Sequence, residues 1–195
     1  MEPMLDLAAA LSPVLDPAPS PQPEPGDRLA AVLALLVGRD DPELVFTERA
    51  AMLSRHAGEM SFPGGLHDPG DADLRATALR ETAEELGINV AADAVLGALP
   101  PIHTSVSGIL VTPFVAVLAE LPTLMVSGAE IARVVRVRLR ELATIEEQRT
   151  LREENGMTWR GWWYVNGDTT VWGATGFMVH ALLGTIRKEA PWAVT

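Results

Sequence analysis

Arg80, Glu81, Glu84 and Glu85 stand together in the segment 74–86, where Ala76, Leu79, Ala83 and Leu86 recur at helical spacing. At about 100° per residue, Glu81 and Glu85 lie one turn apart and roughly 40° around the axis, and Glu84 lies roughly 60° to the other side of Glu81. The spacing therefore puts three carboxylates on one edge of a helix, where like charges destabilise each other. They also sit toward the C-terminal end, where the helix dipole disfavours anions. A cation placed there offsets both penalties. Carboxylate oxygens are hard ligands that suit Mg²⁺ or Mn²⁺. A solvated acidic face is the plainer alternative, since glutamate is a good helix former.

Other chemistries are excluded by what the chain lacks. It has no cysteine, so disulfides, thiolate catalysis and iron–sulfur clusters are ruled out. No two glycines are spaced two apart as a dinucleotide turn requires, and the only lysine is Lys188, so there is no P-loop. His56, His67, His103 and His180 lie far apart, and no Gly-x-Ser-x-Gly elbow occurs. A net charge of −11 argues against nucleic acid or an anionic membrane as the main partner. A small anionic substrate then needs a metal ion or a local basic patch.

The elements that must carry the helix follow from patterning. The chain has 195 residues and is 48 % hydrophobic, enough for one sizeable core. Pro13, Pro17, Pro19, Pro21, Pro23 and Pro25 crowd one segment, which no helix interior or sheet accepts. Residues 1–27 are therefore expected to be a mobile tail, with a short helix over 4–11; a docking segment is the alternative. The folded domain is expected over 28–195. Strands are expected over 29–37, 43–47, 89–99, 109–118, 133–140 and 157–165, with loops over 61–65 and 67–71. Helices are expected over 74–86, closed by Gly87 in a left-handed cap, over 142–154, and over 177–188. Interleaved strands and helices make the class α/β or α+β. The start of the chain lacks a basic n-region, and the longest apolar run is too short for a membrane span, so a soluble, cytoplasmic protein is expected.

The run Gly64-Gly65, then Arg80-Glu81-Thr82-Ala83-Glu84-Glu85-Leu86-Gly87-Ile88, resembles the Nudix box. It departs from that box in having Asp71 where a glutamate is usual, and one residue more between there and Arg80. The coenzyme A pyrophosphatases of the Nudix hydrolases share that variation. Residues 47–65 (TERAAMLSRHAGEMSFPGG) are similar to the signature that precedes their box. Residues 104–108, 111–115 and 171–175 also resemble that subfamily, and the likeness spans 28–190.

The resemblance implies a Nudix-type α/β/α sandwich with a mixed sheet. It implies metal-dependent hydrolysis of coenzyme A, and of its derivatives, to 3′,5′-ADP and 4′-phosphopantetheine. Glu81, Glu84 and Glu85, helped by the Gly65 carbonyl, would hold Mg²⁺ or Mn²⁺; Glu81 is alternatively the general base. Arg80 would orient the glutamates. Arg49, Arg55, His56, Glu59 and Gly64 would contact substrate, with Arg49 or Arg55 on a phosphate. Asp68 and Asp71 are expected to shape the loop, with Asp71 as an outer metal ligand the alternative. Trp159, Trp162, Trp163 and Trp172 either stack an adenine or pack in the core. Two alternatives stay open: another substituted nucleoside diphosphate as substrate, or a binding module without turnover. Such modules lose a glutamate of the box, and this chain keeps all three.

Overall fold

Two apolar runs, free of charged residues apart from Arg28 at the start of the first, form the seam of the molecule. They are β1 (Arg28–Val37) and β7 (Ile109–Leu118), paired in parallel from Arg28↔Ile109 to Val37↔Leu118. Strands buried on both faces need no alternation, which is why both read as continuous apolar segments. The computed structural model describes residues 6–50, 58–104, 108–154 and 157–195.

Around that seam lies a mixed sheet. β2 (Glu43–Arg49) pairs antiparallel with the end of β1, and β4 (Gly64–Leu66) pairs with its first half. β3 (Met60–Ser61) and β8 (Ile131–Arg138) flank β2, while β5 (Val95–Ala98) and β6 (Ile102–Thr104) flank β7. A second, three-stranded sheet holds β9 (Glu146–Glu154), β10 (Met157–Asn166) and β11 (Thr169–Val171).

The helices cover both faces of the main sheet, giving the α/β/α sandwich with a mixed sheet. α2 (Leu74–Leu86) packs Ala78 and Leu86 onto Ala31, Leu33, Leu35 and Phe114. On the opposite face α4 (Gly173–Glu189) sets Met178, Val179, Leu182, Leu183 and Ile186 against Ala34, Leu36, Phe46 and Val115, beside Leu139 and Leu142 of α3 (Leu139–Ile145). Asp73 caps α2 by accepting from the Ala76 N–H at 2.7 Å, and Gly87 ends it left-handed at φ 68°, as expected. Among the described residues, no helix is long and apolar enough to cross a membrane.

Several expectations are corrected. The helix expected over 142–154 stops at Ile145, and Glu146–Glu154 is a strand. Pairing with the tryptophan-rich β10 overrides the helix propensity of its glutamates and arginines. The Tyr164 hydroxyl fixes the junction by donating to Glu146 at 2.7 Å. The loop expected over 61–65 contains the ends of β3 and β4, and only 95–98 of the strand expected over 89–99 is strand.

The segment expected as a mobile tail is docked from residue 6 to residue 18. α1 (Leu7–Leu11) and the turn after it bury Leu7, Leu11 and Leu15 in the core beneath α4. Asp16 and Ala98 exchange backbone hydrogen bonds of 3.1 and 2.8 Å, and the Arg75 guanidinium donates to the Pro17 carbonyl at 2.5 Å. The prolines run along the surface as an extended strap and never enter the sheet.

Candidate active site

The site forms where β4 brings Gly64 and Gly65 under α2. Pairing of Ala31↔Gly65 and Val32↔Gly64 holds both glycines on β1. Each position excludes a side chain for its own reason. Gly64 has φ 151°, and a Cβ there would stand 2.5 Å from Val32 Cα. A Cβ on Gly65 would stand 2.5 and 2.6 Å from the two carboxylate oxygens of Glu81. The backbone of Gly65 is therefore packed directly on a helix carboxylate.

The three glutamates of α2 occupy different environments. Glu85 is 3 % exposed and accepts from the Gly64 N–H at 3.3 Å. Burial pushes its carboxyl up to about 7; the Gly64 N–H and the charge of Arg49 pull it down, and Glu81 and Glu130 push it further up. Glu81 is half-buried with its side chain 18 % exposed, and Glu84 points to solvent at 60 %. The edge expected from the helical wheel is thus graded from interior to surface.

Arg80 ties the group together. Its Nε and Nη2 donate to the two oxygens of Asp71 at 2.9 and 3.0 Å. Its Nη1 donates to Glu81 at 2.8 Å and Glu84 at 3.2 Å, and Nη2 also reaches the Leu66 carbonyl at 3.2 Å. The fork on Asp71 uses the planar geometry that only arginine offers. Arg80, foremost, holds the Asp71 carboxyl far below the usual carboxylate range, helped by the Asp68 N–H and the Thr77 hydroxyl and opposed by desolvation. The Thr77 hydroxyl donates to Asp71 at 2.8 Å and lies 2.8 Å from His67 Nδ1. Neither Thr77 nor His67 stands out in the sequence, because their link to Arg80 runs through a loop residue rather than along one helix face.

The other expected contacts are placed unevenly. Arg49 ends β2, its N–H donating to the Glu59 carbonyl at 3.1 Å, and its charge reaches Glu85. Glu59 is half-buried next to β3. Arg55 and His56 lie outside the described residues. Among the tryptophans, Trp162 packs on the core and stacks on His180 with ring centroids 3.7 Å apart. Trp163 and Trp172 stack at 6.0 Å, and Trp172 and Trp159 are exposed. Among the described residues, no three carboxylate or imidazole groups converge as they would around an ion, and Arg80 Nη1 bridges Glu81 and Glu84.

An α/β/α sandwich with a Gly-Gly strand packed on an Arg-Glu-x-x-Glu-Glu helix defines a Nudix-type hydrolase fold. The NUDIX domain profile matches residues 27–159. The chain is 36 % identical over 172 residues to the uncharacterized Nudix hydrolase NudL of Photorhabdus laumondii, covering 88 % of this chain and 91 % of that protein. It is 38 % identical over 166 residues to the NudL of Cronobacter sakazakii, covering 83 % of this chain and 84 % of that one. A MutT/nudix family protein from Enterococcus faecalis shares the fold with a TM-score of 0.57 at 14 % identity, over 88 % of this chain and 64 % of its own. The chain belongs to the Nudix family, and it is a Nudix hydrolase.

Proposed function

We propose that this protein hydrolyses the pyrophosphate bond of coenzyme A, and of its derivatives, to 3′,5′-ADP and 4′-phosphopantetheine. The reading rests above all on the buried Glu85 bound to Gly64 beside Glu81 packed on Gly65. The resemblance of residues 47–65 to the coenzyme A signature supports the substrate.

The donor set fits a hard divalent ion: three carboxylates and a backbone carbonyl, with no sulfur or imidazole among them. A buried carboxyl raised to about 7 by desolvation is also a group that a cation would stabilise in its charged form. Glu81, Glu84, Glu85 and the Gly65 carbonyl would hold Mg²⁺ or Mn²⁺, with Glu81 and Glu84 giving up part of their contact with Arg80. The chemistry such an ion would supply there is neutralisation of pyrophosphate charge and a lowered pKa for water. Arg80 orients the glutamates from its anchor on Asp71. Arg49 supplies positive charge for a substrate phosphate in a protein of net charge −11. Arg55, His56 and Glu59 complete the substrate contacts, and Gly64 keeps the floor of the site open.

The test is incubation with coenzyme A and Mg²⁺, read by mass spectrometry, with Glu85→Gln as control. Both products are expected, and neither in the variant. Cleavage of dinucleotides with coenzyme A left intact would discard the substrate and keep the chemistry. No turnover of any nucleotide would leave a binding module.

A further inference from the structure

A cavity of about 550 Å³ lies at the opposite end of α2 from Glu85, away from the three glutamates. Its outer wall is the proline strap, Pro17 to Pro21, and its floor includes Leu29 and Phe114. The prolines, Leu29 and Phe114 are apolar, and prolines bring no N–H donor. Polar character comes from Ser20, Arg75, His67 and Asp73, and the Asp73 carboxylate is engaged by the Ala76 N–H. Arg75 is the unsettled group. One of its terminal nitrogens donates to Pro17, but its buried Nε has no hydrogen-bond partner among the described residues. A guanidinium with unspent donors is best met by an anionic acceptor, which a molecule in the cavity reaches through the terminal nitrogens rather than through the buried Nε.

His67 connects this cavity to the site. The single Thr77 hydroxyl proton goes to Asp71, so the 2.8 Å contact requires His67 Nδ1 to donate to Thr77. The chain His67–Thr77–Asp71–Arg80 then runs without a break to Glu81. Along α2, Leu74 at the cavity and Glu81 are seven positions apart, about 10 Å of helix.

We propose that this cavity binds a small organic anion, a carboxylate or phosphate ester on an apolar frame, with the anionic group on Arg75. Occupancy is transmitted to Arg80 through His67, Thr77 and Asp71. Binding itself does not depend on the chemistry proposed for α2.

The experiment uses the full-length ¹⁵N-labelled chain and follows the arginine Nε–H resonances. Benzoate and phenyl phosphate are titrated in separately, with benzyl alcohol as the neutral control. Saturable shifts of the Arg75 Nε–H are expected with one or both anions and not with the alcohol. Response to benzoate alone assigns a carboxylate, and response to phenyl phosphate alone a phosphate ester. Arg75→Leu, followed at the Leu29 amide, is expected to weaken binding about tenfold or more, the usual effect of losing a charge-assisted hydrogen bond. Ala18→Trp, which fills the strap side of the cavity, is expected to weaken it independently. The Arg80 Nε–H is expected to shift in step with Arg75 and to stop responding in Thr77→Val. No saturable shift, an equal response to benzyl alcohol, or undiminished binding in both variants overturns the site. An Arg80 resonance that stays still while Arg75 saturates overturns the transmission.

Discussion

Asp71 and Arg80, on a loop and on a helix, face each other through two parallel hydrogen bonds of 2.9 and 3.0 Å. The third donor of the same guanidinium is thereby aimed at Glu81, 2.8 Å away. A loop carboxylate thus sets the position of the helix carboxylate packed on Gly65.

Replacing Asp71 with asparagine removes one prong and the charge. Loss of a charge-assisted bond of about 1.5–3 kcal/mol predicts a kcat lower by about tenfold to a hundredfold. KM is expected to change little, because both oxygens of Asp71 are engaged by Arg80. Steady-state kinetics on coenzyme A check this, and a KM effect without a kcat effect would contradict it.

The same residue governs the acid limb of stability. Its folded carboxyl lies well below the ordinary value, so its contribution is complete above an unfolded pKa of about 3.9 and is lost as pH falls toward the folded one. Urea unfolding between pH 5 and pH 3 is expected to show Asp71→Asn less stable than wild type at the upper end. The gap narrows as the pH drops.

Glu85 has the opposite sign. Its folded carboxyl is raised to about 7, so stability is fullest below an unfolded pKa of about 4.3 and is lost as pH rises through 7. The loss is on the order of 4 kcal/mol at most. Glu85→Gln keeps an acceptor for the Gly64 N–H and carries no charge. It is expected to raise Tm at pH 8 without divalent ions while abolishing hydrolysis. In wild type, Mn²⁺ is expected to raise Tm more at pH 8 than at pH 5.5, because at the lower pH it competes with a proton. Thermal unfolding with Mn²⁺ and with a chelator tests both statements.

Gly65→Ala places a methyl group against the Glu81 carboxylate. Displacing that group by about 1 Å predicts a roughly hundredfold loss of kcat. Far-ultraviolet circular dichroism is expected to stay native, since the collision is with a side chain. Gly64→Ala meets backbone instead and is expected to destabilise the fold.

Leu11 is fully buried beneath α4, so the docked N-terminal segment is part of the core. Leu11→Ala is expected to lower stability by about 2–5 kcal/mol. Removal of residues 1–18 is expected to lower it further, by urea denaturation. An unchanged midpoint would mean the segment adds nothing to the fold.

Much of this is legible in the residues themselves. Helix 74–86 announces itself by apolar spacing and a closing glycine, and 109–118 by a long β-rich run, because both signals are local. The 146–154 strand is hidden because its charged residues read as helix until β10 lies beside them. Leu7, Leu11 and Leu15 recur every fourth residue, a buried stripe obscured by the prolines that follow. The Asp71–Arg80 fork has no helical spacing to reveal it. The meeting of Gly65 with Glu81 depends on β4 pairing with β1, which no local pattern states.

The ten-residue parallel pairing of β1 with β7 has a consequence for how this molecule comes into being. Arg28 reaches its partner Ile109 only after the whole intervening chain, α2 included, has been gathered into one closed loop. Such non-local contacts form late and slowly, since the loop entropy is lost before they reward it. The carboxylate helix therefore has its packing surface completed only when the chain as a whole has folded. Refolding from urea is expected to recover secondary structure and hydrolysis in a single concerted phase.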